Sequence, residues 1–207
     1  MKDNFSEQAA QYAQYRPGYP PALFEYLAGL SPARSCAWDC ATGNGQMALG
    51  LSAFFDRVYA TDISEKQLAH AVKAPNITYL KEPAEAPSFA ACQFDLAVAG
   101  QAIHWFDFGS FYREVRRTLK PGGVFAAAGY GLPRISPEVD GVLTAFYLQE
   151  IGPYWDPERR YVDEGYRTIP FPFREVKPPG FHYKVSWELP QLAGYVSTWS
   201  AVQHYPF

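Results

Sequence analysis

Asp39 and Asp62 are the residues of this chain best placed to do chemistry, since each closes a short apolar run. Asp39 follows Cys36-Ala37-Trp38 and precedes Gly43 and Gly45; Asp62 follows Val58-Tyr59-Ala60-Thr61. Alternating glycines ahead of a helix leave backbone N–H groups bare at its N-terminus, ready for a polar or anionic ligand. A carboxylate at the end of a second strand can accept both hydroxyls of a ribose. Asp62 could instead cap the following helix. Ser64, with Gln67 three residues on, already completes a capping box there.

Several ligands fit such a loop. Gly43-Asn44-Gly45-Gln46-Met47-Ala48 satisfies the dinucleotide pattern G-x-G-x-x-A, so an NAD-dependent oxidoreductase stays open. A tight strand-to-helix turn with no ligand also fits, because Gly-x-Gly alone is a weak signal. A Walker loop is excluded, since no Lys-Ser or Lys-Thr follows the glycines. Asp39 beside the loop would repel a pyrophosphate and could pair with an ammonium group. A cofactor with an amino-acid end and a ribose but no phosphate suits both acids, and S-adenosylmethionine is such a molecule.

The elements that must position these acids alternate between two periods. Short apolar runs at residues 36–38, 58–61, 77–80, 94–99 and 124–128 read as strands. Helical patterns lie between them, notably 64–73 and 108–119, the latter stopped by Pro121-Gly122-Gly123. Strands apolar on both faces alternating with helices imply an α/β fold, a doubly wound, mostly parallel sheet with helices on both faces. Ligands of such sheets bind at the carboxyl ends of the strands. Asp39, Asp62, Glu85, Gln101, His104, Tyr130 and Arg134 all fall there.

Before the sheet, residues 4–15 and the stretch PALFEYLAGL read as helices. After it, Pro, Trp, Tyr and Phe crowd residues 132–181 without a clean period, which predicts an inserted cap with a helix over 137–151. Residues 182–187 are expected to form one more strand. The chain is thus read as one domain: an N-terminal helical lid over 1–30, a core over 31–131, the cap over 132–181, and a strand and helix over 182–207.

Composition narrows the function classes. The chain has 207 residues, a net charge of −3 and no basic stripe, which argues against nucleic acid or anionic membrane as partners. Cys36, Cys40 and Cys92 form neither a CxxC pair nor an even framework, so all three are expected as reduced interior residues. The N-terminus has no apolar signal core and no run reaches membrane-spanning length, so a soluble cytoplasmic protein is expected. No His/Cys/Asp cluster has metal-ligand spacing, and no metal is expected.

The ordered motifs resemble those of the class I S-adenosylmethionine-dependent methyltransferases, within them the small-molecule branch that includes trans-aconitate methyltransferase. The resemblance is carried by DCATGNG, ATDIS, Ala84-Glu85, FDLAVAGQAIHWFD and LKPGGVFAAAGYG, and by FSEQAAQYAQYRPGYP at the N-terminus. Ala41 replaces the first usual glycine. The resemblance implies a Rossmann-like methyltransferase fold, with S-adenosylhomocysteine as the demethylated product. It implies cofactor contacts from Asp39, Ala41, Gly43, Gly45, Asp62, Ile63, Ala84, Glu85, Gln101 and Ala102. It also implies a lid giving contacts from Tyr12, Tyr15 and Arg16.

Family members continue past a TWS segment, here residues 198–200, to a seventh antiparallel strand, so a missing last strand is expected. His104, after the fourth strand, is the candidate base for a hydroxyl acceptor, or else a packing residue of that turn. A carboxylate acceptor would need no base. The expected reaction is methyl transfer to an oxygen, nitrogen or carbon of a small molecule, an acid among the candidates, by a monomer or weak homodimer. A non-catalytic binding protein remains the other alternative.

Overall fold

The computed structural model describes residues 14–206. Of the helix predicted over 4–15, only Gln14 and Tyr15 fall within these residues; Tyr12 lies outside them. Five strands form one sheet in the order β3-β2-β1-β4-β5, and every neighbouring pair is parallel. They are β1 (Cys36–Cys40), β2 (Arg57–Asp62), β3 (Ile77–Lys81), β4 (Phe94–Gly100) and β5 (Leu119–Ala128).

Period-two alternation sends successive side chains of β1 to opposite faces, and both faces are covered. Ala37 joins Leu96 and Val98 on one face, under helices α1 (Pro21–Leu30) and α2 (Gln46–Ser52). Trp38 joins Phe94, Ala97 and Ala99 on the other, under α4 (Phe108–Thr118). Helix α3 (Glu65–Ala69) follows β2. Trp38 is fully buried, yet its indole N–H donates to the Thr61 hydroxyl at 2.9 Å, so the core keeps no unmet donor there.

Asp95 closes the far end of the sheet. Its carboxylate accepts from the backbone N–H of Ser35 and Cys36 at 3.0 and 2.9 Å, and from Lys120 Nζ at 2.8 Å. These donors hold its carboxyl below the usual carboxylate range against the opposing effect of burial. One side chain thus pins the starts of β1, β4 and β5, leaving the carboxyl ends for a ligand.

Three expectations need correction. Residues 119–123 belong to β5, because Pro121-Gly122-Gly123 forms an irregularity inside the strand rather than a loop before it; the register shifts between Phe94 and Leu96. Residues 181–188 form no strand and pair with no edge of the sheet. Cys92 is exposed, unlike the buried Cys36 and Cys40.

The cap begins with α5 (Pro137–Ala145), which widens into a π turn over Phe146–Glu150, followed by α6 (Arg159–Asp163). The C-terminal helices α7 (Leu189–Ser197) and α8 (Ser200–His204) pack onto it. Tyr147, Ile151, Tyr195, Trp199 and Val202 form their shared apolar cluster, with Tyr15 against its edge. The segment after the cap therefore completes the cap. Among the described residues no helix is long and apolar enough to cross a membrane.

Candidate active site

The strand order places β1 beside β4, whose following helices lie on opposite faces of the sheet. This is the point where an open α/β sheet offers a crevice at its carboxyl ends. A cleft open to solvent lies there, lined by residues from the ends of β1, β2 and β4.

The loop after β1 forms its floor. Ala41, Gly43 and Gly45 all have positive φ, at 53°, 57° and 85°. This winding brings Asp39, Thr42 and Asn44 to the cleft and starts α2 at its rim. Asp39 accepts from the Thr42 hydroxyl and, at 2.9 Å, from the backbone N–H of Ala48 in α2. Burial nevertheless pushes its pKa up to about 7, against both hydrogen bonds. A cation arriving in the cleft would reverse that shift by favouring the carboxylate.

Asp62 forms the second wall. One oxygen accepts from the Gly43 N–H at 2.9 Å and the other from the Ser64 N–H at 2.8 Å. Ser64 itself caps α3, accepting from Gln67 N at 3.2 Å. The cap is thus separate from the acid, and Asp62 ties the loop after β1 to the end of β2. Ile63 stands beside it in the cleft.

On the β4 side lie Gln101, Ala102 and Trp105. Gln101 also has a positive φ, 53°, and its side-chain amide donates to the Tyr130 carbonyl at 2.7 Å, joining the ends of β4 and β5. Tyr19 and Tyr130 close the mouth with rings 6.2 Å apart.

Asp39, Ala41, Gly43, Asp62, Ile63, Gln101 and Ala102 therefore converge on one cleft. Gly45 lies in its loop without lining it. Ala84 does not reach it, being packed in the core cluster around Trp38. Glu85 instead accepts from the Asp107 N–H at 3.3 Å, at the start of α4. Arg16 and Tyr15 also depart from the expected contacts. Arg16 donates to the Thr198 carbonyl at 3.0 Å and stacks over Tyr195, so the C-terminal helices hold it outside the cleft. Tyr15 sits in the cap cluster.

Sequence reasoning missed Tyr19, Gln46 and Met47 as lining residues. Gln46 and Met47 stood inside the quoted loop-to-helix motif; Tyr19 carried only an aromatic in a Pro-Gly-rich turn.

A second, smaller recess adjoins the cleft, sharing Gln101 and Trp105 with it. Arg16, His104, Trp155, Arg159 and Ser200 complete it. His104 Nδ1 lies 3.1 Å from the Tyr166 hydroxyl. Burial first, then the positive charge of Arg159, lower its pKa to about 3. His104 is therefore a neutral imidazole at pH 7, available for hydrogen bonding but a weak proton acceptor. Among the described residues no group of three or more His, Cys, Asp or Glu could hold a metal ion.

Ala41 makes a first prediction possible. A non-glycine residue in the left-handed region costs roughly 1–2 kcal/mol through its Cβ. Ala41→Gly should raise unfolding stability by about 1 kcal/mol, part of the gain being offset by unfolded-state entropy. Urea denaturation checks this; an unchanged or lower midpoint would show that the loop carries no such strain.

Residues 38–127 match a family described as a methyltransferase domain. A protein of Dictyostelium discoideum assigned as a methyltransferase is 31% identical over 202 residues, covering 96% of this chain and 77% of its own length. A methyltransferase of Pestalotiopsis fici is 30% identical over 156 residues, covering 66% of this chain and 46% of that protein. The chain thus spans less than half of that relative. A solved structure from Anaeromyxobacter dehalogenans, assigned as a type II methyltransferase, superposes with a TM-score of 0.85 at 46% identity, covering 92% of this chain and 81% of the other.

Proposed function

Since the chain belongs to the methyltransferase domain family, as a class I S-adenosylmethionine-dependent enzyme, we propose that it methylates a small molecule held in the recess beside the cleft. The observation carrying this reading is that cleft and recess share the wall made by Gln101 and Trp105. A cofactor in the first space and an acceptor in the second would meet there.

The donor chemistry of the cleft fits S-adenosylmethionine. Carboxylates of Asp39 and Asp62 flank a loop of left-handed residues, and among the described residues no cationic side chain of the kind that clamps a pyrophosphate lines the cleft. When bound, this cofactor supplies an activated methyl group on a sulfonium, transferred in line to a lone pair of the acceptor. Asp62 then accepts the ribose hydroxyls while keeping its two loop contacts, and Asp39 faces the ammonium end. Ala41, Gly43 and Gly45 shape the floor, and Ile63, Gln101 and Ala102 line the walls. The chain's remaining task is to align the acceptor and exclude water.

His104 bears on the acceptor atom. A neutral imidazole pushed down to about 3 gives little driving force for taking a proton from a hydroxyl. It can still orient an acceptor by hydrogen bonding. This favours a nucleophile already unprotonated at pH 7, such as a carboxylate oxygen, over an alcohol or phenol.

Calorimetric titration tests the cofactor site: S-adenosylhomocysteine should bind in the micromolar range and NAD should not bind. Cofactor-release assays over small acids, phenols and amines test the acceptor class. Turnover confined to a protein or nucleic-acid substrate would overturn the small-molecule reading.

A further inference from the structure

Arg159, a cap residue, lines the recess beside the cleft. Its side chain is only 18% exposed, although it lies on a short cap helix. Its guanidinium sits 4.6 Å from the Trp155 ring centroid and 5.3 Å from that of Tyr147. Its Nε donates to the Tyr147 hydroxyl at 2.6 Å and to Asp163 at 3.3 Å. These contacts fix the plane of the group through one nitrogen. Its two Nη groups make no hydrogen bond among the described residues, while Arg159 lines the recess.

Two cationic side chains, Arg16 and Arg159, line the recess, and among the described residues no carboxylate does. A fixed guanidinium edge in a partly desolvated space matches the two oxygens of a carboxylate, because parallel N–H donors pair with both at once. Trp105 and Trp155 contribute apolar atoms to the same recess.

We propose that the recess holds a small carboxylic acid, with its carboxylate on Arg159 and its apolar body against Trp105 and Trp155. Arg159 is thereby a specificity-determining residue. The proposal rests on the assignment of the neighbouring cleft to S-adenosylmethionine. It adds the residue that selects the acid.

The test uses protein saturated with S-adenosylhomocysteine, titrated calorimetrically with phenylacetate, phenylacetamide and phenyl phosphate. Phenylacetate should bind at least tenfold more tightly than the amide, and more tightly than the phosphate ester. Arg159→Gln should weaken phenylacetate roughly thirtyfold, the range expected for lost hydrogen bonds to a charged group, and abolish the preference over the amide. Arg159→Lys, which keeps the charge without the planar fork, should retain part of that preference.

Equal binding of acid and amide, no binding of phenylacetate, a preference for the phosphate ester, or a preference surviving in Arg159→Gln would each overturn the proposal. Should Arg159→Gln not fold, Arg159→Lys and the acid–amide comparison on the unaltered protein decide. Failure of S-adenosylhomocysteine itself to bind would sink the cofactor assignment. Its binding without acid preference sinks only the acceptor assignment.

Discussion

Gly45→Ala should lower stability by about 3 kcal/mol and weaken S-adenosylhomocysteine binding by more than a hundredfold. Gly45 has φ +85°, where a Cβ costs roughly 1–2 kcal/mol. A Cβ there would also overlap the Tyr79 hydroxyl and lie 3.0 Å from its Cζ. Tyr79 cannot give way freely, because its hydroxyl donates to the Val72 carbonyl at 2.7 Å and Lys73 stands over its ring. The strain falls on the turn joining β1 to α2, whose Gly45 N–H donates to the Thr42 carbonyl at 3.0 Å. Displacing this turn moves the floor of the cleft. Urea denaturation and calorimetry give both numbers. Because two causes are separable, Gly45→Ala combined with Tyr79→Ala should recover the steric part of the loss. A double variant as weak as the product of the two single effects would show that Tyr79 exerts no such pressure.

Asp62→Ala should reduce S-adenosylhomocysteine affinity about a hundredfold, equivalent to about 3 kcal/mol for two charge-assisted hydrogen bonds at roughly 1.5–3 kcal/mol each. A loss of stability should accompany it. Asp62 is 7% exposed, and its removal leaves the N–H groups of Gly43 and Ser64 without the acceptor that now joins the two loops. A fall in affinity could therefore arise from the loop alone. The 2′,3′-dideoxy analogue of S-adenosylhomocysteine separates the two effects. The unaltered protein should prefer the parent compound over the analogue by tenfold or more, and Asp62→Ala should bind the two alike. If the variant kept the full preference for the parent, Asp62 would be a loop tie and nothing more.

Much of the scaffold was legible because its causes are short in range. Ser64 caps α3 by accepting from Gln67 N at 3.2 Å, three residues on, so this N-cap declared itself locally, although the reciprocal half of the expected capping box does not form. Apolar runs buried on both faces marked β1, β2 and β4, and Asp39 and Asp62 followed at their ends. The topology rule for parallel sheets then sufficed to bring both acids to one cleft. The boundaries failed where a local signal has two meanings. Pro121-Gly122-Gly123 reads as a helix stop followed by a loop, yet pairing with β4 absorbs it into β5. Residues 182–187 alternate like a strand, but no sheet edge receives them among the described residues.

The sequence by itself determined the α/β class, the left-handed turn after β1 and the two acids at neighbouring strand ends. These follow from periodicity, glycine spacing and capping, all set within a few residues. Only the tertiary structure decided what lies beside the cleft. Arg16 meets Thr198 across 182 positions and His104 meets Tyr166 across 62, so no local pattern could state either contact. Arg159 differs, since Trp155, Tyr147 and Asp163 lie within twelve positions of it, yet its neighbourhood reads as a solvated cap helix. Packing against Trp155 and Tyr147 fixes its guanidinium at the recess. A side chain's charge is written in the chain, but its desolvation and direction depend on which distant surfaces close around it.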